Sequence, residues 1–211
     1  RGILVSIPQH DLVTLRDLAK QVAEIAALPV QQETIRLWKA LNSLKPERPM
    51  VSIDQVCWHE MNVDDELTPR CEDPFCQGLE IGLRRTLYAW RHMRADMVVL
   101  PVVEIRKAIH STGFGLAVDE ECLAIDPANT EVSHHYHDQL KTEEDIEKIK
   151  FPEIWHDEEA TARTEERARE IFDGILEVRM QGEFPVFAPF DYIVMWHTPE
   201  ALLYDMVDRP E

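Results

Sequence analysis

The stretch MVVLPVV, residues Met97–Val103, is one of the longest uninterrupted apolar runs in the chain and decides the predicted fold. A run without alternating polar residues is typical of a β-strand that is buried on both faces of a sheet. Met50–Val56, which follows the helix breaker Pro49, is predicted to form a strand before it, and Leu176–Met180 a strand after it. Helical patterns separate these three segments, which favours a parallel sheet with crossover helices.

Helical periodicity and capping residues surround the predicted strands. Apolar residues recur at spacings of three and four through residues 12–41, which predicts two N-terminal helices. Asp73 is predicted to cap the helix between the first two strands, and Thr198 to cap the last helix. Thr142 and Asp145 resemble a capping box at the start of a charged helical stretch. The sequence therefore predicts alternating strands and helices after two initial helices.

Charge and composition exclude several classes of protein. The 211 residues include 22 Lys+Arg and 40 Asp+Glu, which gives a formal net charge of −18. Such a surface repels phosphate backbones and anionic lipids, so we expect neither nucleic acid nor a membrane as a partner. No apolar run approaches the ~20 residues that a membrane-spanning helix needs. The four cysteines have no C-x-x-C spacing, which indicates reduced thiols and a cytoplasmic location.

Four segments of the chain occur in the order and at the spacing of the motifs of one protein family. They are Ala95–Leu100, like a second barrel strand; Lys141–Ile149, like a T-x-E-D-L-x-K-L segment; Ala188–Phe190, like a G-A-P-F-T segment; and Leu203–Glu211, like an M-x-x-x-P-E helix. Together they resemble the uroporphyrinogen decarboxylase-like superfamily over about residues 46–211. The resemblance implies an α/β fold of the (β/α)8 TIM-barrel type, with the N-terminal half of the barrel at 46–211 and a helical extension at 1–45.

The length of the chain limits how much of such a barrel it can contain. A complete barrel typically takes about 250 residues, and this chain begins without Met and ends within a helical pattern. We therefore expect a fragment, a homodimer, or one half of an assembly in which a second chain completes the barrel.

The superfamily that the chain resembles includes two chemistries, and the first predicted loop discriminates between them. Its decarboxylases hold a polycarboxylate tetrapyrrole with an Arg-rich loop, whereas Val51–Met61 contains no Arg and carries Asp54 and Glu60. The resemblance therefore favours a methyltransferase that moves a methyl group between a small methylated substrate and a corrinoid (cobalamin) on a partner protein. The zinc ligands of that branch would lie in the C-terminal half, outside this chain. A cofactor-independent decarboxylase of another carboxylate, and a non-catalytic half-barrel that binds or scaffolds, are the alternatives.

The candidate site residues follow from the barrel expectation, because functional side chains gather at the carboxyl ends of barrel strands. His59 and Glu104 are the candidate catalytic residues, since an imidazole and a carboxylate at such a position can orient a substrate or transfer a proton. The candidate substrate-binding residues are Trp58, Glu60, Phe190, Tyr192 and Trp196. Core packing or solvation is the alternative interpretation for each of these side chains.

Residues 114–138 are predicted to form a hairpin-like excursion that contains three histidines. On a strand, His135 and His137 would share one face and could hold a metal ion. No third ligand can be identified from the sequence, so a polar, outward-facing hairpin is the favoured interpretation. No metal ligand is predicted.

Overall fold

The computed structural model describes residues 6–124, 132–183 and 188–209. The chain divides into two compact units, Arg1–Arg106 with Glu159–Gln181, and Lys107–Glu158 with Gly182–Glu211. The helices are α1 (Gln9–Ala26), α2 (Pro29–Asn42), α3 (Pro74–His92), α4 (Glu158–Phe172), α5 (Pro189–His197) and α6 (Pro199–Asp208). The strands are β1 (Val102–Arg106), β2 (Ile109–Ser111), β3 (Glu120–Leu123), β4 (Ser133–Tyr136), β5 (Ile154–His156) and β6 (Glu177–Gln181).

The first unit has one apolar core built from helices and a parallel strand pair. Strands β1 and β6 pair in parallel, with Val103 opposite Val178. Helix α1 packs against α3, and Leu15, Ile171 and Phe172 have no exposed surface. Burial of such large side chains contributes about 1.5–3 kcal/mol each, so this core supplies most of the stability of the unit.

Two buried carboxylates fix the segment that leads into α3. Asp11 on α1 accepts hydrogen bonds from the backbone N–H groups of Glu72 and Asp73, the latter at 2.9 Å. Glu80 on α3 accepts two more, from Arg70 and Cys71, both at 2.8 Å. Both carboxylates are fully buried, so these bonds also satisfy the backbone groups of the segment.

The described residues of the second unit form two antiparallel strand pairs, a 3-10 helix at Glu143–Lys148 and two short α-helices. In the pair β2–β5, Ile109 lies opposite His156, and in the pair β3–β4, Cys122 lies opposite His134. Helices α5 and α6 meet at Thr198, whose hydroxyl accepts a hydrogen bond from the backbone N–H of Ala201. This bond begins α6 in the manner expected of a capping threonine.

The resemblance implied a half-barrel, and this prediction is wrong for the described residues. They contain six short strands in three two-stranded sheets, and β1–β6 is the parallel pair among them. Met50–Val56 forms no strand, and its Val51 and Ile53 side chains are 54% and 48% exposed. A barrel needs each strand to be paired on both edges, which these segments do not achieve.

The apolar run Met97–Val103 forms a strand only at its end, for two local reasons. The backbone N–H of Val99 donates to the side-chain oxygen of Gln31 on α2, at 2.9 Å, and so is not available for a strand ladder. Pro101 has no N–H to donate. Strand β1 therefore begins at Val102.

None of the helices in the described ranges combines the length and the apolar character that spanning a bilayer would demand.

Candidate ligand-binding site

A cavity of about 400 Å³ in the first unit has aromatic side chains in its wall. Four segments form it: α2, residues 51–58, the end of α3, and residues 93–98. Most of its lining is apolar, and a lining of this kind with a few polar groups is typical of small-molecule sites. Its large apolar side chains are Trp38, Val51, Ile53, Val56, Trp58, Met93, Met97 and Val98, and its charged ones are Asp54, Arg94 and Asp96.

Asp96 joins the segments that form the cavity wall. Its carboxylate accepts hydrogen bonds from the Arg48 guanidinium at 2.9 Å and from the Val51 N–H at 2.8 Å. Its carbonyl oxygen accepts a hydrogen bond from the indole N–H of Trp38, at 2.8 Å. The Arg48 guanidinium, followed by the Val51 N–H, lowers the pKa of Asp96 to about 2. Asp96 is therefore an ionised anchor that positions Trp38 and Val51.

The position of Trp58 in the cavity wall is set by side chains of α3. Trp58 begins a 3-10 turn that ends at Glu60. Its ring meets Tyr88 edge-on, at 6.1 Å between centroids, and the guanidinium of Arg85 lies 5.1 Å from its centroid. Edge-on and cation–π contacts of this kind fix the orientation of an indole ring.

His59 and Glu60 continue the same turn but do not line the cavity. The side chain of His59 is only 17% exposed, and its Nε2 lies 3.6 Å from a carboxylate oxygen of Glu60. The buried Nδ1 of His59 has no hydrogen-bond partner within the described part of the chain. Glu60 is exposed. The structure therefore places Trp58 in a cavity wall and His59 beside that wall.

Glu104 lies in a different place from the Trp58 cavity. It is an exposed residue of β1 and lines a groove of about 390 Å³ together with Val103 and two glycines of α3, Gly78 and Gly82. His59 is not part of the lining of this groove. The two candidate catalytic residues therefore line no common cavity.

The three aromatic candidates of α5 belong to the second unit. The ring of Phe114 lies 5.1 Å from that of Tyr192 and 6.0 Å from that of Trp196. Trp196 is buried, which makes it a packing residue of this cluster. Phe190 is 63% exposed and has no ring partner among the described aromatic contacts. Tyr192 lies at the edge of the cluster and is partly exposed.

The hairpin β3–β4 brings His134, one of the three clustered histidines, together with two ligand-type side chains that were not grouped with it from the sequence. The carboxylate of Glu120, the thiol of Cys122 and the imidazole of His134 have donor atoms that all lie within 4.8 Å of one another. The signal in the sequence is weak, because Glu-x-Cys on one strand meets a histidine only in one register of the hairpin.

Comparisons of the chain with family models, with curated proteins and with solved structures found no significant match. The resemblance to the uroporphyrinogen decarboxylase-like superfamily thus rests on the four sequence segments alone.

Proposed function

We propose that the protein binds a small methylated compound in the cavity between Trp38 and Trp58 and takes part in methyl transfer between that compound and a corrinoid on a partner protein. The observation that carries the binding step is the cavity itself, which has apolar walls and a volume suited to a small molecule. The methyl-transfer step is supported by the four segments that resemble the superfamily, independently of its barrel fold.

The charges around the cavity favour a neutral or cationic ligand. The guanidinium of Arg48 is paired with Asp96, that of Arg85 lies over Trp58, and that of Arg94 lies 4.0 Å from the centroid of the Trp90 ring. Asp54 adds a carboxylate to the lining. Asp54 and Asp96 would repel a carboxylate substrate, whereas a quaternary ammonium ion is attracted by carboxylates and by indole faces. This balance supports methyl transfer over the decarboxylase alternative.

The cavity does not fit a corrinoid. A corrin macrocycle with its side chains is larger than the compounds that a cavity of about 400 Å³ can enclose. We therefore propose that the corrinoid stays on its partner protein and that this chain binds and orients the methylated compound.

Binding of tetramethylammonium, measured by isothermal titration calorimetry, tests the proposal. We expect tetramethylammonium to bind and pivalate, an anion of similar shape, not to bind. Trp58→Ala should weaken binding by tenfold or more, which corresponds to about 1.4 kcal/mol. The matched control is Trp155→Ala, because Trp155 is a half-exposed tryptophan of the other unit. Absence of tetramethylammonium binding, or equal loss in both variants, would contradict the proposed ligand site.

A second experiment tests the transfer step separately from binding. The protein is incubated with tetramethylammonium and reduced cobalamin, and the release of trimethylamine is followed by NMR. His59→Ala should lower the release rate while binding of tetramethylammonium is retained, because His59 lies beside the cavity wall and not in it. Binding without any release would favour the non-catalytic alternative.

A further inference from the structure

The antiparallel hairpin β3–β4 presents one face that carries a thiol, an imidazole and a carboxylate. Alternate residues of a strand share a face, so Glu120 and Cys122 point to the same side. His134 lies directly opposite Cys122 in the ladder and therefore shares that side. Tyr136, opposite Glu120, stacks on His134 with 5.9 Å between ring centroids. The register thus gathers three different ligand types and packs an aromatic ring against one of them.

The donor atoms of the three side chains lie close to one another. Nδ1 of His134 lies 2.8 Å from a carboxylate oxygen of Glu120 and 3.6 Å from Sγ of Cys122. One imidazole nitrogen carries at most one proton, so it cannot donate to the carboxylate and accept from the thiol at the same time. A cation in place of that proton would interact favourably with all three donors.

We propose that Glu120, Cys122 and His134 bind one zinc ion. Thiolate, imidazole and carboxylate are the three ligand types that Zn²⁺ takes in proteins, and donor atoms in a tetrahedral site are about 3.5 Å apart. The Cys122–His134 separation of 3.6 Å already has this value. The other two separations both involve the carboxylate of Glu120, and rotation of this exposed side chain can adjust them. The thiolate and the carboxylate together balance the charge of the ion.

The proposed zinc site leaves one coordination position without a protein ligand. Three protein ligands and a solvent-accessible fourth position are typical of zinc sites that bind water or a further ligand, whereas structural sites use four protein ligands. All three residues are exposed, so a small ligand can reach the ion. The proposal does not rest on the proposed function, and it differs from the sequence expectation that zinc would require residues outside this chain.

The opposite face of the hairpin provides matched controls. Glu121 lies opposite His135, so both point away from Cys122. His137, which the sequence analysis grouped with His135, has its Nδ1 3.1 Å from a carboxylate oxygen of Asp119. These residues resemble the proposed ligands in type and in distance along the chain, but they belong to the other side of the ladder.

Cobalt substitution and zinc titration of the full chain test the site. The protein is stripped with a chelator under reducing conditions, then titrated with Co²⁺ and, separately, with Zn²⁺ by calorimetry. We expect one equivalent of each metal to bind, and cobalt to give a thiolate charge-transfer band with ligand-field absorption of tetrahedral intensity. Cys122→Ser should abolish the charge-transfer band, and His134→Ala should weaken zinc binding by ~100-fold or more, beyond the 10–100-fold typical of outer-shell changes.

The control variants decide between a site on this face and metal binding elsewhere. His135→Ala and Cys57→Ser, the latter also an exposed cysteine, should leave stoichiometry and spectrum unchanged. Circular dichroism checks that each variant keeps its fold. Zinc binding below one equivalent, a charge-transfer band that survives in Cys122→Ser, or a band lost in His135→Ala would overturn the proposal.

Discussion

Glu80 is a buried carboxylate that the fold keeps ionised. Burial by itself raises its pKa, but the N–H groups of Cys71 and Arg70 and the guanidinium of Arg84 outweigh burial, so the pKa of Glu80 is lowered. The Arg84 Nε donates to the carboxylate at 2.7 Å. Hydrogen bonds to a charged group are stronger than those to a neutral one, so this carboxylate is a main anchor of the segment before α3.

Glu80→Gln is expected to lower the free energy of unfolding by about 2–4 kcal/mol, because it weakens three charge-assisted hydrogen bonds in a buried place. The control is Glu165→Gln. Glu165 also pairs with an arginine four residues later, Arg169, but that pair is largely exposed and should contribute less than about 0.5 kcal/mol. Urea unfolding at neutral pH measures both. Equal effects of the two substitutions would show that burial does not strengthen the Glu80 interactions.

The same carboxylate predicts a dependence of stability on pH. A folded-state pKa below the ordinary value of 4.5 means that ionised Glu80 stabilises the fold above that pH and that the contribution is lost as the pH falls below it. The stability difference between the wild type and Glu80→Gln should therefore shrink between neutral and acid pH. Urea unfolding at a series of pH values measures this, and a constant difference would contradict the assignment.

The roles of some residues in the fold could be predicted from their sequence neighbours, and the roles of others could not. The Asp73 side chain accepts from the Cys76 N–H, and Thr142 and Asp145 form the predicted capping box, because capping depends on residues within one turn. Asp11 and Glu80 were not predicted, since an acidic residue in a sequence is normally exposed and its partners here are set by packing.

At the level of elements, helices were more predictable than strands. The periodicity over residues 12–41 is confirmed by α1 and α2, and Leu176–Met180 differs from β6 by one residue at each end. The predicted strand Met50–Val56 was wrong, and the N–H and C=O groups of its Val51 pair with Asp96 in place of a neighbouring strand. Strand formation depends on pairing with another strand, and the local sequence does not identify that strand.

The candidate site shows the same limit. Trp58, which was singled out as a possible pocket residue, lines this cavity, and its role in binding stays a prediction. Trp38 and Asp96 could not be identified in advance, because they line this cavity from separate segments of the chain. The hairpin ligands were missed because alternation along β4 grouped His135 with His137, whereas the ladder groups His134 with Cys122.

His197, at the end of helix α5, forms hydrogen bonds to Asp138 and to Asp205 of helix α6. Its Nδ1–H donates to Asp138 and its Nε2–H to Asp205, both at 2.9 Å. Burial lowers the pKa of His197, but the two carboxylates outweigh this and the net effect is a raised pKa. The imidazolium therefore stabilises this junction below the ordinary pKa of 6.5, and the contribution is lost as the pH rises through the higher folded-state value.

NMR titration of His197 should give a midpoint above 6.5, and Asp138→Asn should lower that midpoint. Hydrogen exchange of the α6 amides should also accelerate, beyond its intrinsic dependence on pH, as His197 loses its proton. A His197 midpoint at or below that of an unperturbed histidine would contradict the role of the two carboxylates.

For the whole molecule, the net charge of −18 is the dominant electrostatic feature. Like charges repel more strongly in the compact state than in the unfolded chain, and salt screens this repulsion. We expect the urea midpoint to rise when NaCl increases from ~0.01 M to ~0.1 M, over which the screening length falls from about 30 to about 10 Å. A midpoint that falls would mean that attractive ion pairs outweigh the repulsion.

The pairing of β1 with β6 has a consequence for how the chain acquires its structure during synthesis. Val102 pairs with Glu177, which is translated 75 residues later, so the parallel pair cannot close until strand β6 has left the ribosome. Until then, an apolar strand end is present without its neighbour, which is the kind of edge that leads to aggregation. A nascent chain arrested before residue 177 should therefore need chaperone protection, whereas one arrested well after residue 181 should not.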